Sequence, residues 1–279
     1  MFFYFVVKNR NLKSQFLKIE NSGHARLIVN KIKIGEKMIN NLKKKKILII
    51  GGSSGFGKEI AKEASQSGAQ VSIVGHSLKN LEKAKKDFEK EKITISSENI
   101  DASDNNQLTD YFKKSGNFDH IISILGGAMA GGFLNSSIAM IRKTIEDKFF
   151  ADMELAKIST KYLNKKGSLI LTAGSGGHPN DSSGAIIGNQ AIKTMIQGLA
   201  LELAPDFRAN AIAPTWTPTG LWKELSKKQL EETSNQMSKA IPLQRVANLA
   251  EVASAYLFLM SNNFITGQTI NIDGVYSLV

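Results

Sequence analysis

The stretch Ile47-Leu-Ile-Ile-Gly-Gly-Ser-Ser-Gly-Phe-Gly57 carries the clearest chemistry in the chain. Four apolar residues run into a turn of glycine and serine. Lys58-Glu-Ile-Ala-Lys-Glu-Ala64 then follows with helical character. Gly51 permits a tight turn. Gly55 and Gly57 lack Cβ, so backbone can approach a pyrophosphate and the helix can pack on the strand. A helix that starts here offers unpaired N–H groups and a partial positive charge to phosphates. The same spacing also fits an ordinary strand-to-helix turn, so the remaining chain has to decide. A second glycine-rich segment, Thr172-Ala-Gly-Ser-Gly-Gly-His178, suits a loop beside a ligand. His178 there reads either as a proton donor or as an exposed loop residue.

These residues need a scaffold, and the pattern around them supplies one. Strands are expected at Ile47–Ile50, Gln70–Gly75, Ile93–Ile100, Asp119–Leu125, Gly167–Thr172, Phe207–Ala213 and Gln268–Ile272. Between them lie helical stretches: one closed by Gly68, then Leu78–Lys92, Asp104–Ser115 with Asp104 as N-cap, 137–164, Ala185–Leu203 and Leu249–Ser261. Alternating strands and helices predict an α/β fold: one Rossmann-type, doubly wound parallel sheet of about seven strands with helices on both faces. Residues 215–240 form a polar, helical insertion. With Trp216, Trp222 and Met237 it reads as a substrate lid or as a surface helix pair.

Composition narrows the function. The chain has 279 residues, 42% of them hydrophobic, enough for one large core. It has no cysteine, so disulfides and thiolate metal sites are excluded. The net charge of +11 is misleading, because residues 1–50 hold 12 Lys/Arg against two acids. The body from residue 51 is near neutral and does not read as a nucleic-acid surface. Lys43–Lys46 is a basic patch or a solvated lead-in to the first strand. Met1–Val7 is apolar but too short to span a bilayer, and its charges follow it, unlike a secretory signal. We expect a cytoplasmic protein with no nucleic-acid or membrane partner and no bound metal. Residues 1–37 are expected to be an extension, disordered or absent from the mature protein, and 38–279 the folded domain.

By the second strand the chain resembles the short-chain dehydrogenase/reductase family, and the resemblance covers about residues 45–275. Ile50-Gly-Gly-Ser-Ser-Gly-Phe-Gly57 is similar to the family's Thr-Gly-x-x-x-Gly-x-Gly, with Ile50 for Thr. Asn99-Ile-Asp-Ala102 resembles the pair that contacts adenine. Ser123-Ile-Leu-Gly126 stands where Asn-Asn-Ala-Gly is usual. Leu199–Pro205, Arg208-Ala-Asn210, Pro214-Thr215 with Thr219, Pro242–Arg245 and Thr266–Gly274 match later signatures. The resemblance implies a nicotinamide cofactor held by Gly51, Ser53, Ser54, Gly55, Phe56, Gly57, His76, Ser77, Asp101, Ala102, Gly126 and Thr219. It also implies a homodimer or homotetramer through the two long helices, and a small-molecule substrate. An acid at the end of strand two would bind a ribose 2′-hydroxyl and repel a 2′-phosphate. Gly75 stands there, followed by His76 and Ser77, so NADP(H) is favoured over NAD(H).

The family's catalytic set, Asn, Ser and Tyr-x-x-x-Lys, is not matched. Counting back from Leu199–Pro205 puts the Tyr position on Ala185 and the Lys position on Asn189. The Ser position falls on Gly174, beside Ser175, and the Asn position near Lys148. A methyl and a carboxamide cannot do phenol chemistry. Two readings follow: an atypical NADP(H)-dependent oxidoreductase of small carbonyl or alcohol substrates that relies on Ser175, Lys148 and Asn189, or a catalytically silent dinucleotide-binding sensor. Substrate identity is not legible. For the extension, deleting residues 1–37 is expected to leave melting temperature and cofactor affinity unchanged. A drop of several degrees, corresponding to about 1–2 kcal/mol, would instead show that the segment packs on the domain.

Overall fold

The computed structural model describes residues 42–127, 129–180 and 182–279; the extension expected over residues 1–37 lies outside them. The apolar run forms β1 (Lys46–Ile50), and the glycine turn leads into α1 (Gly55–Gln66). Then come β2 (Gln70–Gly75), α2 (Leu78–Lys90), β3 (Ser96–Asn99), α3 (Asn105–Ser115) and β4 (Phe118–Ser123). The second half holds α4 (Ile138–Ile145), a π-helical turn at Glu146–Phe150, α5 (Ala151–Ser159), β5 (Leu163–Thr172) and α6 (Ser183–Leu203). It closes with β6 (Arg208–Pro214), α7 (Lys227–Ala240), α8 (Leu249–Ser261) and β7 (Thr269–Ile272).

All seven strands pair in parallel, in the order β3-β2-β1-β4-β5-β6-β7. Successive side chains of β1 leave opposite faces of the sheet, so both faces need cover. Leu48 and Ile50 join Phe112, Leu155, Ile192 and Ile196 on one side. Ile47 and Ile49 join Ile60, Phe88 and Tyr256 on the other. The order reverses between β1 and β4, and ligands of such sheets bind outside the carboxyl ends at that point. Among the described residues no helix is long and apolar enough to cross a membrane.

Helix ends follow local chemistry. Asp104 accepts from the N–H groups of Asn106 and Gln107, as expected of an N-cap. Asn248 and Glu251 form a reciprocal capping box at α8. Its far end is closed by the buried Arg208 guanidinium, which donates to the carbonyls of Leu259 and Met260.

Three expectations change. The helix expected over 137–164 is broken by the π turn, which re-aims every side chain after it. β5 begins at Leu163 instead of Gly167 and passes through Lys166 at φ 66°. β3 is only Ser96–Asn99, because Ile93 and Ile95 pack against the core from the connection that precedes it. The insertion resolves into a 3₁₀ turn at Gly220–Trp222 and α7.

His120 on β4 is buried, its Nδ1 2.8 Å from Ser168 Oγ. Burial, with Arg208 nearby, lowers its pKa to about 3. An unfolded chain takes up this proton near pH 6.5, while the folded chain does not. The contribution is therefore complete above pH 6.5 and is lost as pH falls toward 3, by up to about 1.4 kcal/mol per pH unit at its steepest. In thermal melts from pH 8 to 4, His120→Gln is expected to lower the melting temperature at pH 8 yet flatten its decline below pH 6.5. A parallel decline in both proteins would contradict this account.

Candidate functional site

Gly51 sits at φ 80° and donates its N–H to the Val74 carbonyl, which ties the turn to β2. A Cβ on Gly57 would strike the Gly51 carbonyl oxygen, so the turn itself demands glycine there. Gly55, at φ 51°, lies beneath Thr219; a Cβ would stand 3.3 Å from the Thr219 Cβ. The distant Thr219 is thus brought over the glycine turn. Ser54 precedes α1 without a side-chain cap, leaving the first N–H groups of the helix open. This cradle fits a dinucleotide pyrophosphate.

At the end of β2, a Cβ on Gly75 would meet Ser53 Oγ at 3.2 Å. His76 is exposed, and Ser77 caps α2 by accepting from the Asn80 N–H. Asp101 accepts from the Ser103 hydroxyl and N–H, which lower its pKa with help from nearby His76. Ala102 is buried beside it. Gly75, Ser53, His76 and Asp101 therefore share one end of the crevice.

The other end is built from β4, β5, the π turn and α6. Lys148 lies within the π turn and is only 7% exposed. Its side chain runs past Gly188 and folds over Gly126: a Cβ would stand 3.2 Å from Lys148 Cβ at Gly188 and 3.1 Å from Lys148 Nζ at Gly126. Gly126 is exposed at φ 112°, so the ammonium reaches the rim of the crevice. Among the described residues no hydrogen bond or ion pair reaches this nitrogen. Burial holds its pKa below 10.5. Asn189 fills the space above Gly174, where a Cβ would meet its Nδ2 at 2.5 Å. Ala185 is buried one turn earlier on α6.

Comparison with known proteins decides the family. Residues 51–277 match the family described as enoyl-(acyl carrier protein) reductase, within the short-chain dehydrogenases. A short-chain dehydrogenase/reductase of Gibberella fujikuroi is 27% identical, over 85% of this chain and 96% of its own. The 3-oxoacyl-(acyl-carrier-protein) reductase of Buchnera aphidicola is 30% identical, over 83% and 96%. A crystal structure of a small-chain dehydrogenase in complex with NADPH is 28% identical, with TM-score 0.72, over 85% of this chain and all of that one. This chain is a short-chain dehydrogenase/reductase. It belongs with NAD(P)-dependent oxidoreductases.

Within this short-chain dehydrogenase/reductase one expected residue has a different engagement. Ser175 is buried and donates to Asp273 Oδ2 at 2.5 Å. Asp273 also accepts from the N–H groups of Val275 and Ser277, and the Tyr276 ring lies against Gly176. Ser175 thereby ties the C-terminal segment to the loop after β5. Its aim is set by the backbone, since Gly176 at φ 80° turns the loop away. Trp216 and Trp222 pack together at 5.9 Å, and Trp222 Nε1 donates to Thr217 O.

Sequence reasoning missed a buried polar chain behind Lys148. Ser123 Oγ donates to Asp152 Oδ1 at 2.5 Å, and Thr172 Oγ1 donates to Ser123 O at 2.5 Å and lies 2.7 Å from the Tyr256 hydroxyl. The available signal was the i, i+4 spacing of Lys148 and Asp152. At the cradle, Gly57→Val is expected to abolish NADPH and NADH binding alike in fluorescence titrations, because the Gly51 carbonyl would be displaced. Retained micromolar affinity for either would refute this reading of the turn.

Proposed function

We propose that this short-chain dehydrogenase/reductase reduces a small carbonyl compound with NADPH, and oxidises the alcohol in reverse, without the family's tyrosine mechanism. The observation that carries the proposal is Lys148: a nine-tenths buried ammonium, without a hydrogen bond or salt bridge among the described residues, at the rim of the crevice. A buried ammonium whose N–H groups lack acceptors is costly, and a substrate oxygen gaining negative charge would relieve that cost. The cofactor supplies the hydride to the carbonyl carbon. As that C–H bond forms and the C=O π bond opens, Lys148 donates an N–H proton to the oxygen and regains one from solvent. Burial lowers its pKa from the ordinary lysine value, which weakens its hold on the proton it donates. Ala185 and Asn189 stand at the Tyr and Lys positions, and Asn189 shapes the pocket floor over Gly174. Ser175 takes the role of holding the adjacent loop.

The preference for NADPH rests on the missing acid at Gly75, with Ser53 and His76 as donors beside it. The NADPH complex of the solved relative agrees with it. A groove of about 1010 Å³ between α5 and α6, lined by Phe149, Met153, Met195 and Leu199, supports assembly as a homodimer or homotetramer through those helices. We place the enzyme in the cytoplasm.

NADPH is expected to bind more tightly than NADH in fluorescence titration; equal or reversed affinities would remove the assignment at Gly75 and His76. Over a carbonyl panel, Lys148→Met is expected to lower kcat by about 10²–10⁴-fold with cofactor affinity unchanged. The pair Ala185→Tyr with Asn189→Lys is expected not to raise the rate. Tight NADPH binding with no turnover of any carbonyl or alcohol would replace this reading with that of a silent dinucleotide-binding protein.

A further inference from the structure

Asp152 lies four residues after Lys148, just beyond the π turn, and is fully buried. One carboxylate oxygen accepts the Ser123 hydroxyl at 2.5 Å; the other, Oδ2, has no partner. Burial pushes its pKa up to about 7, opposed by the Ser123 hydrogen bond and the Lys148 charge. In turn Asp152 raises the pKa of Lys148 against burial. The two charges attract but no hydrogen bond joins them, because the Lys148 side chain folds toward Gly126. Ser123 also accepts the Leu125 N–H at 3.3 Å, fixing the turn that leads to Gly126. One serine thus anchors both the carboxylate and the rim on which the lysine lies. From the packed elements, Ser123 of β4 and Tyr256 of α8 are the other polar groups tied electrostatically to Asp152.

We propose that Asp152, seated on Ser123, is a positioning residue: it keeps Lys148 protonated while leaving the ammonium directed into the crevice. The inference rests on the reading of Lys148 as proton donor. Direct contact would quench the lysine by engaging its N–H groups. A carboxylate held behind it, its own lone pairs partly spent on Ser123, supplies the field without that engagement. A buried ammonium with no counter-charge would shed its proton and have none left to donate.

The test does not require turnover. The Lys148 Cε resonance in ¹³C-lysine-labelled full-length protein, assigned by its loss in Lys148→Met, reports the titration directly. Asp152→Asn is expected to lower its midpoint by about half a pH unit or more. Ser123→Ala is expected to move it in the same direction by less, because Asp152 then holds its proton more tightly. Where substrate turns over, the high-pH limb of kcat/KM is expected to shift down by the same amount, with KM for NADPH unchanged. An unmoved Lys148 midpoint in the folded variants overturns the proposal. Should Asp152→Asn fail to fold, Ser123→Ala alone decides it by the same criterion. Absence of turnover with a shifted midpoint would remove the reductase reading yet keep the Lys148–Asp152 linkage.

Discussion

The whole arrangement depends on the hydrogen bonding of β1 to β2 on one edge and β4 on the other. These two ladders diverge where their strands end. Gly51 N–H bonds back to Val74, while Ile124 N–H bonds to Ile50. The connections leave toward opposite faces of the sheet, and a crevice must open between them. Its floor is backbone, so what can bind there is set largely by which residues lack side chains. Glycine at 51, 55 and 57 keeps one end free of side chains. Glycine at 126 and 188 frees the other for the lysine stem.

Much of this was legible in the sequence, for a physical reason. A parallel sheet buries both faces, so its central strands read as apolar runs such as Ile47–Ile50 and need no cross-strand information. Helix ends marked by a side chain were equally plain: Asp104 at α3, and the Leu249–Ser261 helix, which the structure reproduces residue for residue. Thr219 could be assigned to the cradle because its motif fixes a return to the same end of the sheet, although the contact spans more than 160 residues.

What the sequence hid depends on geometry that has no residue signature. The π turn at Glu146–Phe150 contains no glycine or proline, so nothing in it announces an altered helical period. Yet that turn decides which way Lys148 faces. The burial of Asp152 was hidden for the same reason: on a regular helix running through 137–164 its environment depends on a rotation that only the π turn fixes. The engagement of Ser175 was not legible either. A serine next to the expected position looks able to substitute, but adjacent residues on a turning loop point to different places, and Asp273 claims its hydroxyl.

The departures at the catalytic end form a connected set. Asn189 fits because Gly174 leaves room above it. Lys148 fits because Gly126 and Gly188 flank it, and a side chain at either would meet its stem. Neither exchange is accommodated singly: a serine at 174 would crowd the Asn189 amide, and any larger residue at 188 would push the lysine out of the crevice. Random decay of an active site leaves cavities and mismatched neighbours, at a cost of about 1 kcal/mol or more for each lost contact. Here Asn189 occupies the space at Gly174 and Lys148 the space at Gly126 and Gly188, although Asn189 Oδ1 and Asp152 Oδ2 are buried without a hydrogen-bond partner. That packing is what the proposed role of Lys148 needs, since Gly126 and Gly188 seat its side chain beside the glycine turn after β4.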